Sequence, residues 1–167
     1  MDDFIIWAAG FFDGEGSISI NRPSYALVVA VTGSNKSVLE MFRQRYKGYL
    51  NRISKAGKII LEGKYKSKVD CYQFIFEYDN ATVFLRQVLP YLKVKKEQAE
   101  LALEYIPTIK NLASLRGGRL AGKKMTGLER KARINFCKRL KTIREGSSPM
   151  PLTEPLSSPQ LSLFSEN

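Results

Sequence analysis

The chain contains no histidine and only two cysteines, Cys71 and Cys137, in its 167 residues. Zinc centres built on histidine and histidine-dependent acid–base or nucleophilic catalysis are therefore excluded. Two cysteines without C-x-x-C spacing do not make a disulfide framework. No apolar run approaches the length of a bilayer span, and no basic stretch precedes a hydrophobic one at the N-terminus. The expectation is an intracellular protein of cytoplasm, nucleoid or organelle matrix, neither secreted nor bound to a membrane. Acidic residues are scarce where basic ones are dense. Residues 110–144 hold 12 Lys/Arg against one acid, Glu129, whereas residues 145–167 hold no Lys or Arg and three acids.

Residues 1–109 are close to balance, with 15 Lys/Arg against 12 Asp/Glu, so the net charge of +11 lives in one segment. A basic block beside a near-neutral core is the electrostatic footprint of a polyanion binder, and nucleic acid is the commonest such partner. A membrane-surface helix would want aromatic anchors, and this block offers only Phe136. Hydrophobic residues make up 44% of the chain, enough for a real core. The expected organisation is a core over 1–109, a basic loop and C-terminal helix over 110–145 packed on or beside it, and a disordered Ser/Pro-rich tail over 146–167.

The hydrophobic pattern alternates between the helical and the strand period. Asp2 or Asp3 caps an apolar helix, Phe4 to Phe12, and Gly14 and Gly16 are its stop signals. Ser17-Ile18-Ser19-Ile20-Asn21 reads as a strand with isoleucines inward and polar residues outward. Arg22-Pro23-Ser24 is a turn, and Tyr25 to Thr32 the partner strand, with Leu27, Val29 and Val31 on one face and Ala26, Val28 and Ala30 on the other. Asn35 or Ser34 caps a helix from Lys36 to Tyr46 whose buried stripe is Val38, Leu39, Phe42 and Tyr46. Gly48–Ser54 and Lys68–Tyr78 are two further strands, the second turning Tyr72, Phe74 and Phe76 inward. Lys55 to Ser67 extends them as an exposed hairpin arm. Helices follow from Asp79 to Leu89, stopped by Pro90, and from Val94 to Tyr105, ending before Pro107. Thr126-Gly127-Leu128-Glu129 is a capping box opening a helix to Arg144, with Leu128, Ala132, Phe136, Leu140 and Ile143 on its inner side.

One segment breaks the rules of stability. Trp7-Ala8-Ala9-Gly10-Phe11-Phe12-Asp13-Gly14-Glu15-Gly16 runs an apolar helix into two carboxylates, although an acid at a helix C-terminus costs about 0.3–1 kcal/mol against the macrodipole. Gly10, mid-helix, costs about 1 kcal/mol against alanine unless another backbone must come close. Together they describe a tightly packed helix interface with a carboxylate at its lip. Acid–glycine pairs also make ordinary turns, so this segment alone leaves both readings open.

The run Ala8 to Gly16 resembles the LAGLIDADG signature of the homing endonucleases, intron- or intein-encoded enzymes that cut long DNA sites. The resemblance continues through Ser17-Ile18, Val31-Thr32 and Pro90-Tyr91-Leu92-Lys93-Val94-Lys95-Lys96-Glu97-Gln98-Ala99, over about residues 3–106. It implies an α+β fold: an αββαββα core with a saddle-shaped antiparallel sheet, here with an extra C-terminal helix. It implies that Glu15, with the Gly14 carbonyl, binds Mg2+ at the scissile phosphates, Mn2+ or Ca2+ being alternative occupants. Asp13 is then structural, and Lys95 is the supporting cation. Glutamate stands where aspartate is usual. The polar residue that the family often places at the end of the second strand falls near Gly33, which has no side chain. Asn35 and Lys36 are its nearest substitutes.

Hydrolysis of a phosphodiester without histidine needs a metal ion to activate water, and one carboxylate per chain is too few to hold it. No second motif is present: Leu120-Ala121-Gly122 is followed by Lys123-Lys124 where acids belong. The resemblance therefore implies a homodimer whose motif helices pack through Ala9 and Gly10. The sheet would read double-stranded DNA through Ser17, Ser19, Asn21, Ser24, Ala26, Val28, Ala30, Asn51, Arg52 and Gln73. Arg22, Lys55, Lys58, Lys64, Lys66 and Lys68, with Arg130, Lys131 and Arg133 of the last helix, would hold phosphates. The alternatives are an RNA maturase acting on intron RNA and a catalytically inactive DNA-binding protein of the same fold.

Overall fold

The computed structural model describes residues 2–21, 25–57, 59–60, 65–66, 68–114 and 125–146. The chain runs α1 (Asp3–Glu15), β1 (Gly16–Asn21), β2 (Ala26–Gly33), α2 (Lys36–Arg45), β3 (Gly48–Ser54), β4 (Ile59–Ile60), β5 (Tyr65–Lys66), β6 (Cys71–Phe76), α3 (Tyr78–Val88), a 3-10 turn (Leu89–Tyr91), α4 (Lys96–Ser114) and α5 (Gly127–Arg144). Four strands form an antiparallel sheet in the order β1-β2-β6-β3, and β4 and β5 pair separately at the arm expected between β3 and β6.

Asp2 caps α1, its carboxylate accepting the Phe4 N–H at 3.1 Å. The helix outlasts the expected stop at Gly14 and ends with Glu15. There the chain turns at Gly16, where a Cβ would lie 2.2 Å from the Phe12 ring, so only glycine fits. Asn35 caps α2 through the Ser37 N–H at 3.0 Å. One face of the sheet, carrying Val29, Val31 and Phe74, is buried with the core residues Phe12, Leu39, Phe42 and Phe84. Phe42 lies within about one ring diameter of Phe4, Trp7, Phe11, Phe74, Phe76 and Phe84, with centroids 5.6–6.5 Å apart. Such tilted, edge-on and stacked pairs each contribute about 0.5–1.5 kcal/mol beyond area burial.

Three expectations about helices are corrected. The helix α4 does not stop before Pro107 but carries it inside, to Ser114. Burial of Tyr105, Ile106 and Ile109 around the proline outweighs its intrinsic cost of about 3 kcal/mol. Leu128 is half exposed rather than inward. The capping box is only half formed: Thr126 Oγ1 accepts the Glu129 N–H at 3.1 Å, while the Glu129 carboxylate turns to Arg133.

The terminal helix docks on the core of the same chain. Phe136 and Leu140 of α5 close over Ile18, Ile20, Leu27, Leu101, Ala102 and Tyr105. The Tyr105 and Phe136 rings meet edge-on at 4.9 Å, and Arg139 grips Glu104 of α4 through two bonds of 2.9 and 3.0 Å. Tyr25, at the foot of the β1–β2 turn, has φ +54°, a left-handed conformation that costs a non-glycine residue roughly 1–2 kcal/mol.

Candidate active site

The end of α1 gathers the motif residues. Glu15, the last helical residue, is exposed, and its carboxylate makes no hydrogen bond or ion pair among the described residues. Asp13 looks the other way. Its carboxylate accepts the backbone N–H groups of Lys93 at 2.7 Å and Lys95 at 2.9 Å, so it anchors the segment that opens α4. Burial pushes the Asp13 carboxyl up, but the N–H groups of Lys93, Lys95 and Val94 and the charge of Lys95 outweigh it and hold the carboxyl below its ordinary value. Lys95 Nζ donates to the Asp13 carbonyl, one of the orphan acceptors at the negative end of the α1 macrodipole. Asp13 therefore fixes Lys95 at the helix end from which Glu15 projects. Lys93 is exposed. Among the described residues no group of three or more acidic or cysteine side chains could hold a metal ion.

Of the two substitutes for the side chain missing at Gly33, Asn35 is spent on the α2 cap, and Lys36 is exposed and pairs with Glu40 at 3.7 Å. Thr32 and Gln73 lie beside this position on the open face, with Gln73 Nε2 donating to Thr32 Oγ1 at 3.2 Å. Thr32 was missed by sequence reasoning, although strand alternation from Ala26 would have found it.

The open face of the sheet follows from the register. Ser17 pairs with Ala30, Ser19 with Val28 and Asn21 with Ala26. Ala30 continues to Ile75 and Tyr49, and Thr32 to Gln73 and Asn51. Opposed residues share a face, so Ser17, Ser19, Asn21, Ala26, Val28, Asn51 and Gln73 lie on the open face, Ser19 at its edge lining a cavity with Cys137, Lys141 and Arg144 of α5. Tyr49, 62% exposed on this face, is a further residue that sequence reasoning missed.

Three expected site residues are placed elsewhere, and a fourth is covered. Ala30 is on the open face, paired with Ser17 and Ile75, but only 1% exposed. Arg52 stands opposite Tyr72, on the helix side, and pairs with Asp70 at 3.2 Å. Consecutive strand residues cannot share a face, so Asn51 and Arg52 could not both meet DNA in this way. Ala9 is fully buried in its own core and unavailable to a partner. Arg133 is nearly buried, bonded to Glu129 at 2.7 Å. Arg130 and Lys131 are exposed as expected of phosphate contacts, as are Lys55 and Lys68. Arg22, Ser24, Lys58, Lys64, the Lys66 side chain, residues 115–124 and the tail from 147 lie outside the described residues.

An exposed stripe of α1 carries Ile6 (40% exposed), Trp7 (37% exposed, one side of its ring packed on Phe42), Gly10 and Gly14. Their spacing of three and four makes one continuous stripe. A Cβ built on Gly10 or on Gly14 meets nothing within 4 Å. Among the described residues of the chain nothing requires either glycine.

No family model matches the sequence, and no curated protein sequence matches it. Among solved structures, the chain is similar to the LAGLIDADG meganuclease I-AabMI bound to uncleaved DNA, with a TM-score of 0.54 and 18% identity over 80% of this chain and 43% of that one. It spans less than half of that protein. It is also similar to the homing endonuclease I-CvuI, in complex with the I-CreI target in 2 mM Mg with the DNA not cleaved and with its own target in 2 mM Ca. The TM-scores are 0.48 and 0.47, at 23% identity over 83% of this chain and 94% of each of those. The architecture is an α+β fold of helices against one face of an antiparallel sheet. More narrowly, it is the LAGLIDADG homing-endonuclease fold.

Among the described residues no helix is long and apolar enough to cross a membrane.

Proposed function

We propose that the chain is a homodimeric, site-specific double-strand DNA endonuclease of the intron- or intein-encoded type. The observation that carries this reading is the α1 terminus, where an exposed, unpartnered Glu15 carboxylate ends a helix beside a lysine held in place by Asp13. A structural role gives Glu15 no reason to occupy the unfavourable end of the macrodipole.

The Glu15 carboxylate and Gly14 carbonyl are hard oxygen donors that suit Mg2+, Mn2+ or Ca2+. One such set is incomplete, and the Ile6–Trp7–Gly10–Gly14 stripe supplies the means to double it. Two copies packed through this stripe bring both α1 termini to the dyad, with Gly10 and Gly14 permitting close approach of the backbones. The bound ion supplies charge neutralisation at the phosphodiester and a more acidic water. Lys95 then offers a positive charge at the same point, worth most where water is excluded. Ser17, Ser19, Asn21, Ala26, Val28, Asn51 and Gln73 face the major groove, the hydroxyls and amides toward base edges and the apolar side chains toward thymine methyls. Arg130 and Lys131 hold phosphates beside them. A strand of about eight residues spans about eight base pairs, so a dimer covers roughly twenty.

The test is selection from a random duplex pool with Mg2+, with captured ends sequenced. Paired breaks within a recurring, partly palindromic site of that length support the reading. An absence of breaks with the wild type, or equal breakage by Glu15→Gln, overturns it.

A further inference from the structure

We propose that Arg133 is a positioning residue for DNA reading. From α5 it locks Tyr25 at the entry to β2 and so fixes the pitch at which Asn21 and Ala26 meet base pairs. This rests on the DNA-endonuclease reading above.

The guanidinium of Arg133 ties three elements together. Its Nε and Nη2 hold the fully buried Glu129 carboxylate at 3.0 and 2.7 Å. Its Nη1 donates to the Tyr25 carbonyl at 3.0 Å and lies 3.3 Å from the Tyr105 hydroxyl. The Tyr105 hydroxyl, from α4, donates to that same Tyr25 carbonyl. Tyr25 is the residue whose backbone is left-handed, and it immediately precedes the Asn21–Ala26 pair that ends the ladder. Two donors on one carbonyl therefore select a strained conformation where the hairpin would otherwise be free to relax. The planar fork of arginine can hold carboxylate and carbonyl together, whereas the single ammonium of lysine cannot. With its side chain only 11% exposed, Arg133 acts through the hairpin rather than on a phosphate.

Arg133→Lys keeps the charge and breaks the fork, which separates the two roles. Three quantities decide: amide hydrogen exchange at Ala26 and Leu27 in DNA-free protein, base preference at each position of the selected site, and the salt slope of binding. The lock predicts exchange at least tenfold faster. It also predicts flattened preference at the base pairs under Asn21 and Ala26, unchanged preference elsewhere, and an unchanged salt slope. Tyr105→Phe, which removes one donor and leaves the ion pair, should show a weaker form of the same pattern if Arg133→Lys does not fold. Wild-type exchange and preference in both variants would overturn the proposal, as would a uniform loss across all positions. If wild-type protein selects no sequence, the DNA reading itself fails, while the exchange data still report whether the lock exists.

Discussion

Replacing Gly10 by leucine should make the subunit more stable and the assembly weaker, two effects of opposite sign from one side chain. A Cβ at Gly10 has nothing within 4 Å and its position is helical, so the isolated subunit loses nothing by accepting a larger residue. Leucine instead recovers most of the helix propensity that glycine forfeits, about 0.8–1 kcal/mol. In a dimer packed on the α1 stripe, the same side chain enters the helix crossing from both copies. Overpacking costs about 1–3 kcal/mol per insertion, and the dyad doubles it to about 2–6 kcal/mol, roughly 30-fold to 10⁴-fold in the dimer dissociation constant. Sedimentation should show a monomer, DNA cleavage should disappear, and the unfolding temperature should stop depending on protein concentration. A Gly10→Leu protein that remains an active dimer, or a monomer less stable than wild type diluted to its own monomeric state, would refute the placement of the interface.

Glu15→Gln should abolish cleavage while leaving duplex affinity within a few-fold, because it removes metal-binding charge but no phosphate contact; parallel cleavage and binding assays decide. Lys95→Met should reduce the single-turnover rate by at least tenfold with little loss of binding, and an unchanged rate would return Lys95 to the surface. Asp13 has a carboxyl held below its ordinary value of 3.8, so its stabilising effect is fully present above that pH and is lost as pH falls through the lower folded value. The stability gap between wild type and Asp13→Ala, from denaturant titrations, should therefore be constant near neutrality and close in acid. Neutralising Arg130 and Lys131 together should flatten the slope of log affinity against log salt by about 0.9 for each phosphate contact, without changing base preference.

The sequence by itself determined the elements whose causes are local. Asn35 and the stripe Leu39, Phe42 and Tyr46 specify α2. Alternation marks β1, β2 and β6, and β3 has the expected bounds, Gly48–Ser54. The motif segment also announced its own oddity, an acid at the wrong end of an apolar helix, because that cost is paid within a few residues of chain. Tertiary structure decided what depends on distant partners. Pro107 reads as a stop until Ile106 and Ile109 are seen to be buried around it. Ala9 and Gly10 are adjacent small residues in one motif, yet only the docking of α1 shows that the first belongs to the core and the second to the open stripe. Arg130, Lys131 and Arg133 look alike in a basic run, and the third is set apart by the buried Glu129 four residues before it and by the Tyr25 carbonyl 108 residues away. Composition counts charges, but packing decides which of them are spent inside the molecule, since a buried cation must find its partners there and an exposed one is left for a ligand.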